Sequence, residues 1–170
     1  MTLVVCPLRY LDQVVAERRP SHLITLLAPH EMIGRHPDLA PERHLRIGVD
    51  DIAFPQDGLV VPDGTAVERI LDFGAGWDAA APMVVHCFAG ISRSTATAFV
   101  LACARDPAAD EAAIAQAMRR ASPHAFPNRR IVALADDILG RGGRMLEAVE
   151  AMGGNNFVPE GAPFDLPVGR

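Results

Sequence analysis

The chain has no unbroken apolar run of about 18 residues, so nothing in it reads as a membrane-spanning helix. Its first residues, Met1-Thr2-Leu3-Val4-Val5-Cys6-Pro7, lack the basic start and long apolar stretch of a secretory signal. Cysteine is scarce. Cys6, Cys87 and Cys103 are odd in number and carry no metal-ligand spacing. His22, His30, His36, His44 and His124 show none either, so no metal and no cofactor is expected. Positive charge is not in excess. The net charge of −5 argues against nucleic acid or an anionic membrane as the main partner. Internal repeats are also missing. These absences together favour a reducing cytoplasm, the compartment in which a free thiolate survives.

What remains is a well-filled globular chain. At 170 residues, 49% of them apolar and with mean hydropathy of +0.15, it suits one domain with a sizeable core. Residues 1–152 read as that domain and 153–170, rich in proline and glycine, as an irregular C-terminal tail. Strand patterns fall at 3–6, 21–27, 44–49 and 83–86. Helical patterns fall at 10–19, 65–77, 94–105, 110–121, 129–139 and 141–152. Strands alternate with helices early and helices dominate late. That pattern predicts an α/β fold with a mostly parallel central sheet flanked by helices.

One stretch carries chemistry: His86-Cys87-Phe88-Ala89-Gly90-Ile91-Ser92-Arg93-Ser94. A strand leads in and a helix leads out. Strand, tight loop and helix let backbone N–H groups converge on an anion at a helix N-terminus. Cys87 sits at the base of that loop, where the same positive field favours the charged sulfur. Arg93 adds a planar fork of donors suited to two phosphate oxygens. A nucleophile beneath a phosphate cradle is equipment for moving a phosphoryl group onto sulfur. Chance would place these residue types in this register in about one in 10⁵ chains of this length. A buried core cysteine ending a strand would account for Cys87. It would not account for Arg93 at a helix start, where a cation opposes the macrodipole.

The loop resembles the signature of the cysteine-based protein tyrosine phosphatases, in its compact dual-specificity branch. Pro127-Asn128 resembles the pair that opens a late helix there. The resemblance implies a four- or five-stranded sheet, with the loop at its carboxyl edge. It implies phosphomonoester hydrolysis through a phosphocysteine, with Phe88, Ala89, Gly90, Ile91, Ser92 and Arg93 binding phosphate. Ser94 would donate to the departing thiolate. His86 would hold the loop without taking the substrate proton. The general acid must be an aspartate on a loop delivered to the same sheet edge. Asp51, which follows the strand at 44–49 and lies 36 residues before Cys87, is the first choice. Choosing it assumes a small insertion at 56–62. Asp57 and Asp50 are its rivals.

The expected substrates are phosphorylated proteins, phosphotyrosine above all, or small aryl phosphates, with inorganic phosphate or sulfate able to sit in the loop. The uncharged positions Phe88, Ala89, Ile91 and Ser92 disfavour a highly anionic substrate. Two other readings compete. A rhodanese-like sulfurtransferase would carry a persulfide on Cys87. A phosphate-binding module would keep the cradle without turnover.

Overall fold

The computed structural model describes residues 1–169. Five strands form one sheet: β1 (Thr2–Pro7), β2 (His22–Leu27), β3 (His44–Gly48), β4 (Met83–Cys87) and β5 (Phe164–Pro167). Their spatial order is β3-β2-β4-β1-β5. The first four run parallel, and β5 pairs antiparallel to β1 from Thr2↔Pro167 to Val5↔Phe164. β4 is the middle strand, in register with β1 (Leu3↔Met83 to Pro7↔Cys87) and with β2 (His22↔Met83 to Leu26↔Cys87). β2 and β4 are buried along their whole length, which explains their continuous apolar runs.

Six helices surround the sheet: α1 (Leu11–Arg18), α2 (Gly64–Ala75), α3 (Arg93–Arg105), α4 (Glu111–Ala121), α5 (Arg129–Ile138) and α6 (Arg144–Ala151). The alternation of side chains along β1 sorts the core. Leu3 and Val5 join Phe99, Met118, Ile131 and Met145 on the helix-rich face. Val4 and Cys6 face α1 through Leu11, Val14 and Val15. α3 is buried from Arg93 to Cys103, so it is the central helix rather than an amphipathic outer one. Helix starts follow the capping chemistry of their sequences. Asp63, Asp110 and Asn128 each accept from amides of the first turn of α2, α4 and α5.

The α/β architecture with a mostly parallel sheet is as the residue pattern predicts. One boundary needs correction. Residues 164–167, assigned to an irregular tail, form β5 and close the sheet edge beside β1. A four-residue strand ending in proline gives too short a pattern to stand out, and β5 lies at the sheet edge, where proline is readily placed. α6 also starts later than its periodicity suggests, at Arg144, after left-handed backbone at Gly142 and Gly143.

Because four strands are parallel, their carboxyl ends, Pro7, Leu27, Gly48 and Cys87, lie along one edge of the sheet. The loops that follow them converge there, and that convergence builds the site.

Candidate active site

Cys87 is the last residue of β4 and is 1% exposed. Beyond the five loop residues that follow it, α3 begins at Arg93. Between them the chain turns sharply at Gly90, whose φ is +69°. A Cβ at Gly90 would stand 2.6 Å from Pro7 N and 2.9 Å from the carbonyl carbon of Cys6. The position therefore requires glycine twice over, for its left-handed backbone and for the close approach of β1.

The loop's carbonyls are held from outside. Phe88 O accepts from Leu8 N (3.1 Å), Ala89 O from Gly161 N (2.9 Å), Ile91 O from Phe126 N (2.9 Å) and Ser92 O from Asn128 N (3.2 Å). With the carbonyls turned outward, the amides turn inward. Among the described residues, the amides of Phe88, Ala89, Gly90, Ile91 and Ser92 donate no hydrogen bond. A ring of undonated amides at the start of a buried helix is an anion cradle.

Arg93 closes the ring. Its Nη1 donates to Val49 O at 2.8 Å, which anchors one arm of the guanidinium to the end of β3. Its Nε is buried with no protein partner. A buried donor left unmade costs free energy unless a ligand answers it. Ser94, one residue on, places Oγ 3.1 Å from Cys87 Sγ. Ser94 does not cap α3. That position belongs to Ser92, whose side chain makes no cap bond and reaches elsewhere.

Ser92 Oγ donates to Asp51 Oδ1 at 2.7 Å, and Asn128 Nδ2 donates to the same oxygen at 2.9 Å. Asp51 is exposed, and its second carboxyl oxygen carries no hydrogen bond among the described residues. Asn128 does two tasks with one carboxamide. Its Oδ1 caps α5 through Arg130 N and Ile131 N, while its Nδ2 ties Asp51 and Ile52 O. Arg130 extends the tie by donating to Pro62 O and Ala53 O. Of the arginines at the start of α5, Arg130 thus braces the Asp51 loop, while Arg129 pairs with Glu150. Of the two rivals, Asp50 is buried and its Oδ2 accepts from Val60 N at 2.7 Å, closing the loop on itself. Asp57 is exposed and has no hydrogen bond to the Cys87 loop among the described residues.

Sequence reasoning missed the layer under Cys87. His86 Nε2 lies 2.6 Å from Thr25 Oγ1, which lies 2.8 Å from His44 Nε2. His44 Nδ1 accepts from the His36 amide at 3.0 Å. These contacts set the tautomers. His44 must carry its proton on Nε2 and give it to Thr25, and Thr25 must give its own to His86 Nε2. The His86 proton then sits on Nδ1, beside the Cys87 main chain, without a well-formed hydrogen bond. Burial pushes His86 down to about 3, helped by the nearby His44, so the ring is neutral. Burial pushes His44 down to about 4, helped by Arg35 and Arg46. Cys6 and Cys103 are pushed up to about 12, mainly by burial, so both thiols stay protonated. Thr25 and His44 come from neighbouring strands, and only the register of β2 with β3 and β4 brings them to His86.

No protein-family model matches the sequence, and no curated protein is significantly similar to it. Solved structures do match the fold. The chain is similar to the crystal structure of DUSP15 at 20% identity, with 91% of this chain and 94% of that chain covered and a TM-score of 0.60. It is similar to human DUSP28, again at 20% identity, over 88% of this chain and 94% of that one, with a TM-score of 0.60. It is also similar to PTPMT1 in complex with PI(5)P, at 12% identity over 88% and 91%, with a TM-score of 0.58. The fold is therefore that of the compact dual-specificity phosphatases.

Proposed function

We propose that the protein is a cysteine-dependent phosphomonoester hydrolase that acts on protein phosphotyrosine, with phosphoserine and phosphothreonine as further substrates. The observation that carries this reading is the cradle itself. Among the described residues the amides of Phe88 to Ser92 and the buried Arg93 Nε make no hydrogen bond, and Ser94 Oγ lies 3.1 Å from Cys87 Sγ.

In this reading the reaction has two steps. The Cys87 sulfur attacks phosphorus in line, and the S–P bond forms as the bond to the ester oxygen breaks. The loop amides and Arg93 hold the three equatorial oxygens as their charge changes. The leaving oxygen takes a proton from Asp51 through its free carboxyl oxygen, while Ser92 and Asn128 hold the other. Water then attacks the thiophosphate. Asp51, now a carboxylate, takes a proton from that water, and Ser94 donates to the sulfur that departs. Phosphate leaves and the thiolate returns. His86, neutral and tied to Thr25, takes no part in proton transfer and fixes the end of β4 to β2 through that tie.

The test is hydrolysis of an aryl phosphate by the parent chain and by Cys87→Ser, beside a thiosulfate sulfurtransferase assay. The parent should turn over the phosphate ester. Cys87→Ser should bind it without turnover, because a hydroxyl in the cradle is not ionised. Residual hydrolysis within about tenfold of the parent would exclude the phosphocysteine route, since losing a nucleophile costs many orders of magnitude. Sulfur transfer from thiosulfate without ester hydrolysis would give the site to the persulfide chemistry instead.

A further inference from the structure

The phosphate cradle lies inside a rim of exposed aromatic and aliphatic side chains. Among the described residues seven large apolar side chains are conspicuously exposed, and of these Ile138 alone is not on a segment bound to the cradle. Phe88, 52% exposed, is the residue after the nucleophile. Phe126 lies on the segment whose amide donates to Ile91 O. Phe54 (77% exposed), Leu59 and Val60 belong to the Asp51 loop, which Ser92 and Asn128 tie to the cradle. Phe157 (88% exposed) follows Asn156, whose carbonyl pairs with His124 two residues before Phe126. A groove of about 370 Å³ continues outward from Phe126 and Pro127 to Val149 and Gly153. Apolar surface gathered in one place marks a recognition surface, whereas scattered exposed residues do not.

The charges around the rim complete the pattern. The chain has no lysine, and all 16 of its basic residues are arginines. Three near the cradle have protein partners. Arg129 pairs with Glu150, Arg130 donates to Pro62 O and Ala53 O, and Arg119 donates to Pro123 O. The remaining nitrogens of Arg119, Nε and Nη2, are buried without a hydrogen-bond partner among the described residues. On the same rim Asp51 and Asp57 are exposed carboxylates. A second anionic group next to the phosphate would meet the exposed Asp51 and Asp57 carboxylates.

Resting on the phosphatase reading above, we propose that the substrate is a phosphotyrosyl segment of a protein whose flanking residues are apolar, taken up by the rim of Phe54, Phe88, Phe126 and Phe157. Each flanking side chain covers rim surface that is otherwise wet, so affinity arises outside the phosphate. A bilayer phosphate would satisfy the same apolar contacts. However, a membrane that displays phosphomonoesters is anionic, and a chain of net charge −5 without lysine is repelled by it. Charge complementarity therefore selects the peptide.

The experiment uses two phosphotyrosyl peptides of equal length, one flanked by leucine and valine, the other by glutamate and aspartate. A third probe is a vesicle of phosphatidylcholine with PI(5)P. kcat/KM for the apolar peptide should exceed that for the acidic one by about tenfold or more, the scale of partly burying one or two aromatic side chains. Phe54→Ser with Phe126→Ser should remove about tenfold for the apolar peptide alone. It should leave kcat for p-nitrophenyl phosphate and the thermal midpoint unchanged. Direct binding of both peptides to Cys87→Ser, by fluorescence anisotropy, decides the preference independently of turnover. A chain that binds the apolar peptide more tightly but hydrolyses nothing would keep this inference and lose the enzyme reading. Equal or reversed preference, or a preference that survives the double substitution, overturns the rim as the recognition surface. Faster turnover of the vesicle phosphate than of either peptide overturns the choice of occupant.

Discussion

Acidification from pH 7 to pH 5 should destabilise this protein through two histidines that share one threonine hydroxyl. His86 and His44 both contact Thr25 Oγ1, and both are neutral in the fold. Burial is the main cause for each, lowering His86 to about 3 and His44 to about 4. Neighbouring positive charge adds to the effect, from Arg93 at His86 and from Arg35 and Arg46 at His44. In the unfolded chain both return to about 6.5. The sign follows directly. Below pH 6.5 the unfolded chain takes up protons that the folded chain refuses, so stability is full above that pH and falls as pH drops towards 4. Each histidine costs about 1.4 kcal/mol per pH unit, so at pH 5 the pair costs about 4 kcal/mol. That is a large share of the roughly 5–15 kcal/mol that holds a domain of this size. His22, also lowered chiefly by burial, acts in the same direction. At Glu111 burial acts upward, but its own backbone hydrogen bond, Arg144 and Arg141 together outweigh it, so this group enters only below its ordinary value of 4.5. The interval from pH 5 to 7 therefore isolates the histidines. Urea unfolding followed by circular dichroism at pH 7, 6 and 5 measures the slope, which should approach two protons near pH 5. His44→Asn should reduce it towards one. A stability that is flat or rising over this interval would refute the neutral buried pair.

Three further predictions concern the site. Gly90→Ala should cost at least about 1–2 kcal/mol for the left-handed backbone alone, and more because its Cβ would collide with Pro7 and Cys6; chemical denaturation reads the loss, and an unchanged midpoint would mean the loop can open at no cost. Arg93→Lys keeps the charge but loses the fork, so kcat on an aryl phosphate should drop by about two orders of magnitude or more; near-normal turnover would reduce Arg93 to a simple electrostatic anchor. Asp51→Asn should slow phosphotyrosine and alkyl phosphates strongly and activated aryl phosphates far less, and it should flatten the alkaline limb of the pH–rate profile. The same change at Asp57 is the control, and leaving-group dependence at Asp57 in place of Asp51 would move the acid further along the loop, away from Ser92 and Asn128.

The parts of the site that could be read from the residues are those that lie close together in the chain. Cys87, Gly90, Arg93 and Ser94 fall within one turn between a strand and a helix, so their spacing alone implies their geometry. The Asp51 loop was legible as a class, because parallel strands deliver their loops to one edge. The choice among three aspartates was not, since it depends on Ser92 and Asn128 reaching across from other elements. Asn128 reads as a helix cap from its position, yet its second bond, to Asp51, spans 77 residues. Thr25 and His44 left no signal at all. A threonine in an apolar strand and a histidine in an alternating one are ordinary until strand register stacks them under His86. The rim phenylalanines were equally silent, because exposure belongs to the folded surface.

The pairing of β5 with β1, and the bond from Gly161 N to Ala89 O, bear on how the molecule is assembled. Thr2 of β1 waits for Pro167 of β5, so this contact closes one of the longest loops in the fold and is among the slowest to form. During synthesis the inner strands and helices can collapse while Ala89 still lacks its outer tether and β1 shows a bare edge to its surroundings. The newborn protein is then most exposed to mispairing at the place where its chemistry will later reside, and the late-emerging strand both seals that edge and sets the loop. Pulse-labelling hydrogen exchange should accordingly find the amides of β1 and the Ala89 region protected after those of β2 and β4.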